Sequence, residues 1–283
     1  MYEDQPRRRG LRLLPLVVVG VLLLFQFFSA EKFVNPETGR ESRVGLSWDQ
    51  EEALGVQSYQ QVLSESKTIT SGPEYEMVTR VAKKLMEQTG SVGRSFDWRV
   101  SLVDSDQINA FCLPRGKIVV YTGILPVAQT EAGLAVVMGH EMAHATSRHG
   151  AQRVFQQGMA DMAIKGVTAT MSDMSIDQQR AVMGALGAGA QYGILMPFGR
   201  DHESEADEIG LMYMARAGYD PRESIGFWER MAEAGGGKQP PEFMSTHPSH
   251  GTRIDQLKAL MPKAMAEYEK SGASVDVERE SNL

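Results

Sequence analysis

Residues 140–144 read His-Glu-Met-Ala-His and follow Glu131-Ala-Gly-Leu-Ala-Val-Val-Met-Gly, an apolar run without proline. The run predicts a helix. On a helix His140 and His144 lie one turn apart on one face, where two imidazoles can bind one Zn2+. Glu141 is rotated off that line but still faces the water of such a site, as a general base in metal-assisted hydrolysis must. Imidazole and carboxylate are poor choices for a buried face unless something there needs them. The apolar surroundings therefore argue against a solvated surface helix. The six histidines fall in three short stretches: His140, His144 and His149; His202; His247 and His250.

A hydrolytic zinc site needs a third protein ligand and an open fourth position. The best source is Gly199-Arg-Asp-His-Glu-Ser-Glu-Ala-Asp207. Glu203 and Asp207 are one helical turn apart, so Glu203 is the expected ligand. Asp207 is expected to accept the free ring N–H of one zinc histidine and fix its tautomer. Glu205 should point elsewhere, and His202 should lie behind the ligands or face solvent. The competing reading of this stretch is a solvated acidic helix start.

Four blocks together resemble the M48 family of zinc metalloproteases, related to HtpX and the CAAX prenyl protease, and fit its Oma1/BepA-like branch best. They are His140-Glu-Met-Ala-His144; Arg200-x-x-Glu203-x-x-Ala206-Asp207; Thr246-His-Pro-Ser-His-Gly-Thr-Arg253-Ile; and Asn109-Ala-Phe-Cys-Leu-Pro-Arg-Gly-Lys-Ile118. The likeness covers roughly residues 70–265 and departs at Arg115, where the family usually has glycine. It implies an α+β, zincin-like, mostly helical metalloprotease domain with a small β-sheet whose edge strand lines the active site. It implies one Zn2+ per chain on His140, His144 and Glu203. Substrate would add as a strand at Asn109, Ala110 and Phe111. Arg253 and His247 would stabilise the oxyanion, or His247 would fill the open zinc position at rest. His250 matches no family role and reads as a surface histidine.

The resemblance further implies an endopeptidase for unfolded or damaged envelope proteins, with Glu141 moving the proton. One alternative is a chaperone-like or outer-membrane assembly factor with a gated, rarely active zinc site. Another is a structural zinc protein, although such sites are normally closed by four Cys or His ligands, and the chain has one cysteine.

Arg7, Arg8, Arg9 and Arg12 precede a segment, residues 13–30, that carries one amide, Gln26, and no charge. Its length is at the lower limit for a membrane span, about 17–25 residues. The basic cluster predicts a cytoplasmic N-terminus and an external catalytic domain. Phe-Phe-Ser-Ala matches a cleavage site poorly, which favours an uncleaved anchor. The expected location is the inner membrane, single-pass with the catalytic domain in the periplasm, or free in the periplasm if the segment is removed. The expected divisions are a basic tail (1–12), an anchor (13–30), a juxtamembrane linker and first helix (31–70), the zinc domain (71–265) and a polar tail (266–283).

Net charge is −7, which argues against nucleic-acid binding. Cys112 has no partner for an intramolecular disulfide and reads as a packed thiol. Helices are expected over 51–65, 73–90, 220–234 and 252–261, and a strand over 98–103. Residues 155–199 are rich in methionine and glycine; within them 181–198 reads as a core helix in preference to a membrane hairpin, or as a mobile cover over the site.

Overall fold

The computed structural model describes residues 13–170, 198–236, 241–247 and 252–273. The arginine cluster at 7–12, most of the Met/Gly-rich stretch, His250 and the end of the tail lie outside the described residues. In chain order the elements are α1 (Leu13–Ser29), β1 (Glu31–Val34), β2 (Glu41–Val44), α2 (Trp48–Ser64), β3 (Thr68–Ile69), α3 (Pro73–Met86), α4 (Gly90–Gly93), β4 (Arg99–Val103), β5 (Ala110–Leu113), β6 (Lys117–Tyr121), α5 (Leu125–Ala128), α6 (Glu131–Thr146), α7 (His149–Ala169), α8 (Arg200–Arg216), α9 (Glu223–Gly235), α10 (Glu242–Thr246) and α11 (Arg253–Lys270). The architecture is α+β and mostly helical.

The chain divides into two compact units. The smaller comprises residues 1–33, 42–46 and 151–196. Within it α1 is apolar on every side and leaves Leu14, Val17, Val21, Phe25 and Phe28 exposed. Phe27 meets Phe155 of α7 at a centroid distance of 6.3 Å. Arg43 of β2 stacks on Phe27 at 5.1 Å. No described helix is long and apolar enough to cross a membrane.

The larger unit holds the sheet and the remaining helices. The sheet order is β3-β4-β6-β5, with β4 parallel to β6 and the other pairs antiparallel. Ile118, Val119 and Val120 of β6 are fully buried, as an inner strand with both faces covered requires. β5 is the sheet edge next to α6.

Helix α6 opens with Thr130, whose hydroxyl accepts the Gly133 N–H. Every residue from Gly133 to Thr146 is buried, so the apolar run is a central helix covered on all sides. It crosses α8 where Gly139 faces Gly210. A Cβ on Gly210 would come within 2.7 Å of the His140 backbone nitrogen, so only hydrogen fits at this crossing. The close approach sets the ligand-bearing faces of the two helices against each other.

Three local expectations are corrected. Residues 31–50 are not a plain linker: β1 and β2 pair as a hairpin whose turn uses Gly39 at φ +73°. The helix expected over 73–90 ends at Met86, and its buried face is Val78, Val81, Ala82 and Leu85. The last helix does not stop at 261. It runs through Pro262, because Leu257, Ala264 and Tyr268 continue one buried stripe across that residue.

At Arg115 φ is +63°, followed by Gly116 at +87°, a turn geometry that favours glycine. The arginine is retained by contacts instead. Its Nε donates to Glu52 at 3.2 Å, and its guanidinium lies 5.1 Å from the Trp48 ring and 4.9 Å from Phe96.

Candidate metal centre

Helix α6 contributes His140, Glu141 and His144, and α8 contributes Glu203 and Asp207. The residue after α10 is His247, and α11 begins with Arg253. All seven side chains are buried. His140 Nε2 lies 3.1 Å from His144 Nε2 and 3.5 Å from Glu203 Oε2. His144 Nε2 lies 3.4 Å from Glu203 Oε1. His247 Nδ1 is 3.3 Å from His140 Nε2 and 3.1 Å from Glu203 Oε1. Ligand atoms of His140, His144, Glu203 and His247 all lie within 4.8 Å of one another.

These separations test whether a metal fits. Tetrahedral zinc with bonds of about 2.0–2.2 Å has donor-to-donor edges of roughly 3.3–3.6 Å. Five separations, 3.1–3.5 Å, lie near those edges, and the four ligand atoms all lie within 4.8 Å of one another. The set of three imidazoles and one carboxylate also suits zinc. His247 stands at the corner expected to be open. Its ring is stacked on Phe243 at 4.6 Å.

The backs of the ligands are also held. Asp207 Oδ1 is 2.8 Å from His140 Nδ1, and Arg253 Nε donates to Asp207 Oδ2 at 2.7 Å. Arg253 Nη2 donates to Glu203 Oε2 at 2.6 Å, and its guanidinium lies 3.9 Å over Trp228. Two of its three nitrogens are thus on carboxylates, while Nη1 is buried without a hydrogen-bond partner among the described residues. Glu205 faces away from the ligands, as its two-residue offset from Glu203 requires, yet it is buried rather than solvated. His202 is buried too, stacked on His149 at 4.3 Å, which settles its position behind the ligands.

The electrostatics follow from burial. Desolvation alone would lower the His140 pKa, but Asp207 and Glu203 outweigh it and bring it to about 9. Desolvation dominates at His144 and holds its pKa well below 6.5. Desolvation also opposes ionisation of Glu203, but hydrogen bonds with His140, His144 and His247 keep its carboxyl far below the usual range. At Glu141 desolvation raises the pKa. A bound cation must displace the His140 proton.

Cys112 N–H, on the outward side of β5, donates to Glu141 Oε2 at 3.3 Å. The carbonyl of Asn109 accepts Tyr121 N–H at 3.1 Å and is therefore turned into the sheet. By strand alternation Ala110 and Cys112 face outward. Of the expected Asn109, Ala110 and Phe111, the backbone of Ala110 is turned outward, whereas the Asn109 carbonyl is not.

Sequence reasoning missed His149, Glu205 and the outward backbone of Cys112. The available signal for His149 was a third histidine five residues after His144.

The description "Peptidase family M48" belongs to a family model that matches residues 74–261. The chain is 34% identical to the mitochondrial metalloendopeptidase OMA1 of Schizosaccharomyces pombe over 87% of its length and 71% of that protein. It is 32% identical to the human metalloendopeptidase OMA1 over 86% of its length and 48% of that protein. It is 31% identical to the β-barrel assembly-enhancing protease of Yersinia pestis over 79% of its length and 46% of that protein. The chain spans about half the length of the last two. It belongs to peptidase family M48, among the Oma1/BepA-like metalloendopeptidases.

Proposed function

We propose that the chain hydrolyses peptide bonds of unfolded or damaged envelope proteins, with one Zn2+ per chain on His140, His144 and Glu203. The observation that carries this reading is the convergence of those donors at tetrahedral spacing with Glu141 beside them. Zinc bound there supplies Lewis acidity for water and for the scissile carbonyl. Glu141 takes a proton from the attacking water and gives it to the leaving amine. A carboxyl whose pKa is raised by burial suits both halves of that task. Asp207 holds His140 with Nε2 toward the metal. Arg253 orients Glu203 and Asp207 through Nε and Nη2.

Substrate binds as an added strand along β5, with Ala110 and Cys112 offering backbone groups and Phe111 beside them. Main-chain pairing of this kind has little sequence preference, which suits unfolded chains. The exposed apolar side chains of α1 and the uncharged stretch around it support attachment to the inner membrane, with the catalytic domain on the periplasmic side. The 17 residues of α1 are at the short end of the span range.

His247 supports a second reading. Its Nδ1 lies 3.3 Å from His140 Nε2 and 3.1 Å from Glu203 Oε1, and its Nε2 lies 3.3 Å from Glu141 Oε1, which supports a closed, resting arrangement. A chain that stays closed would serve as a gated assembly factor, a role compatible with the name of the Yersinia pestis relative.

The test is casein degradation by the full chain in detergent, comparing wild type with Glu141→Gln at equal measured zinc content. Cleavage that disappears in the variant supports the hydrolase with Glu141 as base. Cleavage that persists sinks that assignment. Zinc uptake without cleavage by either protein favours the gated reading.

A further inference from the structure

Behind His144 lies a file of hydrogen bonds that the hydrolytic chemistry does not use. His144 Nδ1 is 2.9 Å from His149 Nδ1, and His149 Nε2 is 2.9 Å from Glu205 Oε2. All three side chains are buried. Glu205 is itself pinned by the β1–β2 turn. Its Oε1 accepts from Asn35 Nδ2 at 3.0 Å and from Thr38 Oγ1 at 2.5 Å, and its Oε2 accepts from Arg40 Nε at 2.7 Å.

The order of donors follows from chemistry. A carboxylate only accepts, so His149 donates from Nε2. A neutral imidazole has one N–H, so His149 Nδ1 is an acceptor and His144 Nδ1 is its donor. His144 is then left with a lone pair on Nε2, the atom that faces His140 and Glu203.

We propose that Glu205 and His149 are positioning residues that fix the metal-binding tautomer of His144, and that Asn35, Thr38 and Arg40 hold Glu205 for this purpose. The two zinc histidines are thus oriented by different devices. Asp207 reaches His140 directly. For His144 the turn at Arg148, φ +55°, brings the first residue of α7 back against its ring, and Glu205 of α8 completes the relay. The inference rests on the zinc site proposed above.

The test measures zinc dissociation constants of the full chain by chelator competition, and visible spectra after Co2+ substitution. The proteins are wild type, His149→Asn, His149→Leu and Glu205→Met. Asparagine can put a carbonyl oxygen where Nδ1 stood, whereas leucine offers no acceptor. Leucine is expected to weaken zinc binding about 10–100-fold and to alter the Co2+ bands, as loss of a partner behind a metal ligand does. Asparagine is expected to stay within about 3-fold of wild type, a small part of that loss. A role limited to packing would lower the metal-free melting temperature of both variants and leave the Co2+ spectra unchanged.

Wild-type affinity in the leucine variant, or equal losses with leucine and asparagine, overturns the relay while leaving the zinc site standing. If the leucine variant does not fold, Glu205→Met, which offers His149 no oxygen acceptor, decides, and unchanged zinc affinity there overturns the relay. Wild-type protein that takes up no zinc removes the site and the relay together.

Discussion

Arg253→Met tests how much of the metal centre is held by one cation. Arg253 donates to Asp207 at 2.7 Å and to Glu203 at 2.6 Å, and both carboxylates are buried. Each hydrogen bond to a charged group contributes about 1.5–3 kcal/mol. Removing one partner of a buried ion pair costs about 3–5 kcal/mol. The lower end applies here, because Asp207 keeps His140, and Glu203 keeps three histidines. Methionine also retains apolar contact with Trp228, so little packing is lost. The expected destabilisation is about 3 kcal/mol in metal-free protein. For a domain of this size that lowers the melting temperature by about 6–12 °C. The assay is thermal unfolding in the presence of chelator, with Arg253→Lys alongside. Lysine keeps the charge but lacks the planar fork that spans two carboxylates, so an intermediate loss is expected. A shift below about 2 °C for methionine would refute the reasoning, since that corresponds to no more than about 1 kcal/mol. A lysine variant indistinguishable from wild type would show that charge alone, not the two-point geometry, is what matters.

Two further predictions concern neighbouring groups. His247→Ala opens the fourth corner without removing His140, His144 or Glu203, so casein turnover should rise while zinc content stays at one per chain; unchanged or lower turnover at full zinc occupancy would show that His247 does not plug the site. At Glu205 desolvation alone would raise the pKa, but His149, Arg40 and Thr38 outweigh it and bring it down to about 2 from 4.5. Between those values the unfolded chain binds more protons, so this stabilisation is complete above about pH 4.5 and disappears as pH falls toward 2. Melting temperature followed from pH 6 to 2.5 should therefore fall less steeply for Glu205→Gln than for wild type, and parallel curves would count against the assigned pairing.

How far the site could be read in the sequence depended on whether periodicity alone linked its parts. His140 and His144, and likewise Glu203 and Asp207, are each separated by one helical turn, so helical geometry fixes which atoms converge once the helices exist. The His149–Glu205 relay has no such link. It needs a left-handed residue at Arg148, a helix restarting at His149, and a carboxylate from α8 held by a hairpin more than a hundred residues earlier in the chain. The hairpin was itself obscured, because four-residue strands around Thr-Gly carry too little alternation to stand out from a linker. Arg253 illustrates a different limit. Its motif placed it at the site, but only the structure shows that two carboxylates hold two of its three nitrogens. A cation beside a metal centre can stabilise an oxyanion or hold a ligand, and sequence position does not separate the two. Hydrogen bonds of 2.7 and 2.6 Å to Asp207 and Glu203 give Arg253 the holding contacts, while its Nη1 has no hydrogen-bond partner among the described residues.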